Sequence, residues 1–243
     1  MTLLAPSRTD TELPLPVVRW LEVAWPDGVD AVETLTLAGP VRMRRGRIPL
    51  GGDTTMRFRL GEGYVNDIRV GAGPVTAMRG LDALVDGTGI TVIGHEATTG
   101  HEIDQATFLA LWCQSLLFPT SWTRLPGLRM TPVSDAEVIV TLPFRGGVET
   151  ALLLFDPEHS AFPVAFQAHR YRAVGSPKLG WLATYEDWHW RDGIVQPTRL
   201  RVRWADEPAP WFDMRVEDIT PNAPLDAHED RARAAIAEAL RTR

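Results

Sequence analysis

Cysteine is almost absent: Cys113 is the only one in 243 residues, so no internal disulfide framework can staple the fold, and a reducing compartment is expected. Long apolar runs are missing too, since none approaches the ~20 residues that a membrane-crossing helix needs. Met1 to Leu15 carry Pro6, Arg8, Asp10 and Glu12 where a secretory leader needs an unbroken apolar segment. The expected location is therefore cytoplasmic. Positive charge is not in excess: 25 Lys and Arg against 31 Asp and Glu leave a net charge of -6, which argues against nucleic acid as a partner. The basic runs, Arg42, Arg44, Arg45 and Arg47 and then Arg199, Arg201 and Arg203, sit largely at every second position, as on a wet strand face.

Catalytic signatures are equally scarce. There is no Gly-x-Ser-x-Gly elbow, and Cys113 falls among apolar residues of a predicted helix, where a thiol is inert. Gly71-Ala72-Gly73-Pro74 lacks the lysine and helix of a phosphate loop and reads as a turn. His95-Glu96 and His101-Glu102 share one loop but not the i, i+4 spacing of a helical zinc pair, and His159, His169, His189 and His228 are scattered. No metal, no cofactor and no catalytic residue is expected on these grounds. The one carboxylate pairing worth weighing is Asp82 with Asp187 or Glu186.

Turn and strand signals are abundant. Asp192-Gly193 is a two-residue hairpin tip, and it dictates the pairs Glu186 with Arg199, Tyr185 with Leu200, Ala183 with Val202 and Trp181 with Trp204. One face of that hairpin is apolar and aromatic, the other charged. Short β-branched segments are expected at Val32 to Leu37, Val41 to Ile48, Thr54 to Leu60, Tyr64 to Val70, Leu81 to Val85 and Ile90 to Ile93. Their links, Gly51-Gly52, Gly61-Glu62-Gly63 and Asp86-Gly87-Thr88-Gly89, are too short for crossovers, so the strands form an antiparallel meander. Further strands are expected at Glu137 to Leu142, Val148 to Phe155, Phe162 to Tyr171 and Trp211 to Ile219.

Three helices are expected. Pro14 to Trp25 carries a stripe of Val17, Trp20, Leu21 and Ala24, and Pro26-Asp27-Gly28 ends it. The second runs from Asp104, read as its N-cap with an Ile103–Phe108 staple, to Leu117; it is apolar around most of its girth, which marks a helix buried on most sides. The third spans Asp226 to Arg241, with Asp226 and Glu229 as a capping box, a stripe of Ala232, Ala235, Ile236, Ala239 and Leu240, and Arg241 and Arg243 at its carboxyl end. Thr120 to Ser134 is the one plausible seam.

Nine tryptophans against three tyrosines give large side chains that either fill a core or line an apolar cavity. Val164, Phe166, Ala168 and Arg170 share one strand face, so Arg170 points inward unless a bulge precedes it. An inward guanidinium must find an anion, a carbonyl cluster or a ligand.

The order of landmarks from Pro16 to Asn222 resembles a family of uncharacterised bacterial domains of unknown function, many of them encoded by actinobacteria and deinococci. The landmarks are Pro16-Val17-Val18-Arg19-Trp20-Leu21, Asp86-Gly87-Thr88-Gly89, Leu116-Leu117-Phe118-Pro119 before Trp122, Phe166 with Arg170-Tyr171, Trp181, Asp187-Trp188, Asp192-Gly193 with Pro197, Trp204 and Trp211-Phe212. The family supplies no reaction and no cofactor. Its architecture is similar to the curved sheets of LolA-type lipoprotein carriers, which hold acyl chains between sheet and helix.

The expected fold is α+β, mainly β: a long curved antiparallel sheet, a partly open barrel, with a helix in its concave side and a C-terminal helix. Residues 1–30 form an N-terminal segment with a short helix, 31–222 a single curved-sheet domain including helix 104–117, and 223–243 the last helix. The expected function is noncatalytic binding of a hydrophobic or lipid-like small molecule, with Trp112, Trp181, Tyr185 and Trp204 lining the cavity and Arg170 at the head group. An enzyme using the same cavity, with Arg170 and Asp82 or Asp187, and a structural or partner-binding module are the alternatives.

Overall fold

The computed structural model describes residues 13–25, 32–46, 48–72, 75–123, 127–156, 158, 161–191 and 193–242. Their strands are β1 (Thr34–Arg45), β2 (Ile48–Arg59), β3 (Gly63–Ala72), β4 (Val75–Val85), β5 (Thr88–Ile93), β6 (Glu96–Thr98), β7 (Arg129–Ser134), β8 (Glu137–Phe144), β9 (Gly147–Phe155), β10 (Pro163–Tyr171), β11 (Lys178–Arg191), β12 (Ile194–Trp204), β13 (Phe212–Arg215) and β14 (Asp218–Pro221). The helices are α1 (Leu15–Ala24), α2 (His101–Ser115) and α3 (Asp226–Arg241). All the strands belong to one antiparallel sheet that does not close on itself, in the order β6-β5-β4-β3-β2-β1-β13-β12-β11-β10-β9-β8-β7, with β14 beside β1.

That order fixes the place of α2. The chain completes one meander at the β6 edge and starts the next at the opposite edge, β7, so the connection must traverse a whole face of the sheet. It does so as α2, which touches β3, β4 and β5 on one side and β10 on the other. Strands so far apart in the order reach one helix only because the sheet bends around it. The burial of α2 on most sides, from Ile103 to Ser115, follows.

The concave face carries one continuous core, including Leu35, Leu37, Met56, Phe58, Tyr64, Leu84, Leu153, Phe166, Ala183 and Leu200. Alternate residues face outward. Where α3 covers the convex side, Val65, Ala83, Val85 and Ile90 pack against Ala232, Ile236 and Ala239 as a second, separate core; Leu240, expected in that stripe, is exposed. The long hairpin has the expected register, Trp181 with Trp204, Ala183 with Val202, Tyr185 with Leu200 and Glu186 with Arg199, and its last pair is Arg191 with Ile194.

Several boundaries differ from expectation. Val32 to Leu37 and Val41 to Ile48 are not two strands: β1 runs through Gly39 and Pro40. Proline is tolerated because β1 pairs with β14 up to Ala38 and with β13 from Val41, so the missing N–H falls in the gap between those two neighbours. Gly51-Gly52 is no link either but the interior of β2. A Cβ on Gly52 would lie 1.9 Å from the Arg69 carbonyl oxygen, and only glycine permits that backbone approach. β4 starts at Val75, not Leu81, and Trp211 to Ile219 divides into β13 and β14. The His95–Glu102 loop contributes β6, and the presumed seam contributes a 3-10 turn, Pro119–Thr123, and β7.

The expected caps do not form. Gly100 is the residue before α2, four positions ahead of the expected cap, which leaves Asp104 inside the helix. Leu225 precedes α3, and Asp226 and Glu229 both accept from Arg59 of β2 instead of capping. The helix stop at 26–28, residues 47, 73–74, 159 and 192, and Arg243 lie outside the described residues.

Candidate functional site

Between the bent sheet and α2 lies a cavity of about 260 Å³. Every strand from β3 to β5 and from β10 to β13 contributes to its wall, as does Met43 of β1. The apolar lining is Met43, Ile68, Met78, Ile93, Trp181, Val202, Trp204, Trp211 and Phe212, with Ala110 and Cys113 of α2. Polar groups interrupt it at Asn66, Asp82, Thr91, Gln114, Arg170 and Arg172.

Arg170 reaches this wall because β10 alternates without interruption from Phe166 through Ala168 to Arg170; the irregularity in its pairing falls at the other end, between Pro163 and Ala165. Its Nε donates to the Ala106 carbonyl of α2 at 2.9 Å. Its guanidinium carbon sits 4.9 Å from the Trp181 ring centroid and 5.7 Å from that of Trp204, within range of an attraction between cation and ring. Among the described residues no carboxylate lies within salt-bridge distance of it.

Across the cavity Asp82 is held by two hydroxyl donors, Tyr64 and, at 2.7 Å, Thr91. Burial, then the Asp82 charge, pushes the Tyr64 phenol well above its ordinary pKa, so it stays protonated and donates. Asn66 accepts from Thr54 at 2.6 Å. Three further polar atoms on lining residues, Gln114 Oε1, Trp181 Nε1 and Trp211 Nε1, are buried without a partner among the described residues. At one edge, Arg172 stacks over Trp204 at 4.7 Å and pairs with Asp206 at 2.5 Å and Glu207 at 3.5 Å, and Glu207 also pairs with Arg44 at 2.7 Å.

Of the five residues singled out from the sequence, Arg170, Trp181 and Trp204 are brought together on this wall. Trp112 and Tyr185 are elsewhere. Trp112 is fully enclosed in an aromatic cluster with Phe108 and Trp122. Tyr185 donates its hydroxyl to the Cys113 carbonyl at 2.8 Å, which ties β11 to the last turn of α2. The carboxylate pairing is not formed: Glu186 faces outward to Arg201 at 2.9 Å, and Asp187 is exposed. Sequence reasoning passed over Asn66, Ile68, Gln114 and Trp211. The first two were readable, since Tyr64, Asn66 and Ile68 alternate on one strand face, but nothing local marks that face as a cavity wall.

Among the described residues no group of three His, Cys, Asp or Glu side chains is placed to hold a metal ion, and no helix is long and apolar enough to cross a membrane. Two solved structures similar to this chain are a LolA superfamily protein from Nitrosomonas europaea, at 11% identity and a TM-score of 0.49 over 87% of this chain and 94% of that one, and a DUF1329 family protein from Desulfovibrio piger, at 12% identity and 0.45 over 82% and 90%. No curated protein sequence matches. The sequence profile of a family of unknown function, DUF6544, matches residues 6–214, all of the sheet but Arg215 and β14, and the chain belongs to that family.

Proposed function

We propose that this protein binds, without catalysis, a small amphipathic molecule in the cavity between the concave sheet face and α2. The observation that carries this reading is a cavity of about 260 Å³ walled largely by apolar side chains, with a guanidinium that no carboxylate of the described residues contacts. Interiors pack closely and pair their buried polar groups. A hollow whose apolar wall is interrupted by a few polar side chains is what a ligand site needs and a packed core avoids.

Native mass spectrometry of protein purified without detergent, followed by titration with an apolar dye, tests the proposal. A bound species of low mass, or saturable dye uptake displaced by short amphiphiles, is the expected result. Absence of both would overturn it. Size limits the ligand: an apolar cavity of ~150 Å³ holds benzene, so this one suits a single ring system or short chain better than a two-chain lipid.

A catalytic reading is favoured by one observation, the Tyr64–Asp82 pair facing Arg170 in the same space. Both Asp82 oxygens already accept hydroxyl protons, so a role as general base requires breaking one of those bonds. Turnover of any component of a metabolite pool, lost on Asp82→Asn while binding persists, would establish the enzyme instead. Docking another chain through α3 is disfavoured, because its apolar stripe is already used on β3, β4 and β5. A single buried cysteine suits a reducing compartment, the cytoplasm, which cell fractionation can check.

A further inference from the structure

The cavity's own charges narrow the ligand further, and the narrowing rests on the binding reading above. Arg170 spends only its Nε on the protein, at the Ala106 carbonyl. Its two terminal nitrogens have no acceptor among the described residues, and the indoles of Trp181 and Trp204 hold the guanidinium within the wall. An aligned guanidinium fork matches a carboxylate, two N–H groups to two oxygens, better than it matches a hydroxyl or an ester.

A second donor lies on the same wall. Asn66 is 2% exposed; its Oδ1 is taken by Thr54, and its amide N–H groups have no acceptor among the described residues. On the cavity wall those N–H groups are free to donate to a ligand. Asp82 sets the upper limit on negative charge: it shares the cavity, so a dianion drawn to Arg170 would also face a carboxylate across a medium of low polarity.

We infer that the ligand is a compact monocarboxylic acid of roughly ten non-hydrogen atoms in all, its carboxylate received by Arg170 with Asn66 as a further donor and its apolar body in the hollow. Neutral amphiphiles of the same length fit the space but leave the cation unmatched. Phosphate monoesters match the cation but carry the extra charge that Asp82 opposes.

Three probes of one chain length test it: octanoate, octanol and octyl phosphate, titrated at pH 7.5 by calorimetry against the wild type, Arg170→Met and Arg170→Lys. In the wild type octanoate is expected to bind about ten-fold or more tighter than either of the others. Arg170→Met should bring octanoate down to the level of octanol while octanol binding stays, and Arg170→Lys should fall between. Asn66→Leu, with a loss of a few-fold for octanoate alone, serves if neither Arg170 variant folds, and the wild-type ranking stands without any variant. If octanol equals octanoate, the carboxylate inference falls and the binding cavity remains. If octyl phosphate binds tightest, the monoanion limit falls. If none of the three binds, both readings fall together.

Discussion

The carboxylate of Asp104 accepts the backbone N–H of Gly89 at 2.7 Å and the guanidinium of Arg145 at 2.8 Å. This side chain, in the first turn of α2, clamps the helix to the start of β5. Asp104→Ala should lower unfolding free energy by about 1.5–3 kcal/mol, the range for hydrogen bonds to a buried charge, read from urea denaturation midpoints. The partner position is tighter still, since a Cβ on Gly89 would lie 2.3 Å from Thr107 Oγ1 and 2.8 Å from the Ile103 carbonyl oxygen. Gly89→Ala should cost about 1–3 kcal/mol through overpacking.

Tyr185 and Trp181 separate structure from binding. Tyr185→Phe removes the bond to the Cys113 carbonyl and should cost about 1 kcal/mol of stability while leaving dye affinity within about two-fold. Trp181→Phe trims the cavity wall and loosens Arg170, and should weaken octanoate several-fold more than octanol. Calorimetry beside denaturation curves distinguishes the two patterns.

Gly80 offers a way to fill the hollow. It lines the cavity, and a Cβ there would meet nothing closer than the Val92 carbonyl oxygen at 3.4 Å. Gly80→Val places two methyl groups in the space and adds a residue suited to a strand. Ligand binding should fall by about ten-fold or more with no loss of thermal stability. Loss of binding accompanied by a large drop in melting temperature would point to distortion instead.

Burial pushes the Cys113 thiol up to about 12, against the smaller downward pull of the Tyr185 hydrogen bond. At pH 8 the native protein should therefore resist iodoacetamide, while the same protein in 6 M guanidinium reacts within minutes, read by intact mass. Fast alkylation of the folded chain would contradict the burial that keeps this thiol protonated.

On the convex face Arg199 donates twice to Asp213, at 2.9 and 2.8 Å, and with smaller help from Arg201 and Arg42 holds that carboxyl below the usual carboxylate range. The unfolded chain then binds the proton more readily, so the contribution is fully present above the unfolded value of about 3.9 and is lost as pH falls through the lower folded one. Asp213→Asn should be less stable than the wild type at pH 7, with the gap closing in the acid limb of a denaturation series.

How much of this was legible depended on whether the determining contact was local. The β11–β12 register could be read because a period of two and a two-residue tip leave one solution, and Trp181 opposite Trp204 follows from it. Arg170 was legible for the same reason. Asp104 was misread because a short acid ahead of an apolar run is what a cap looks like; its true partner, Gly89, is fifteen residues away. Gly52 read as a link because the carbonyl that demands a glycine belongs to Arg69 on the next strand. Trp112 and Tyr185 carried the right composition for a wall, but whether an inward aromatic meets space or another ring depends on how α2 seats across the sheet.

That seating has a wider consequence. In a closed barrel the number and stagger of strands set the bore. Here no ring of strand pairs sets the distance between the β3–β5 flank and the β10–β12 flank; the helix wedged between them does. The side chains at Ala110 and Cys113, which face the hollow from that helix, thus set its depth, and small changes in their bulk, with no alteration to any strand, would tune which guest is admitted.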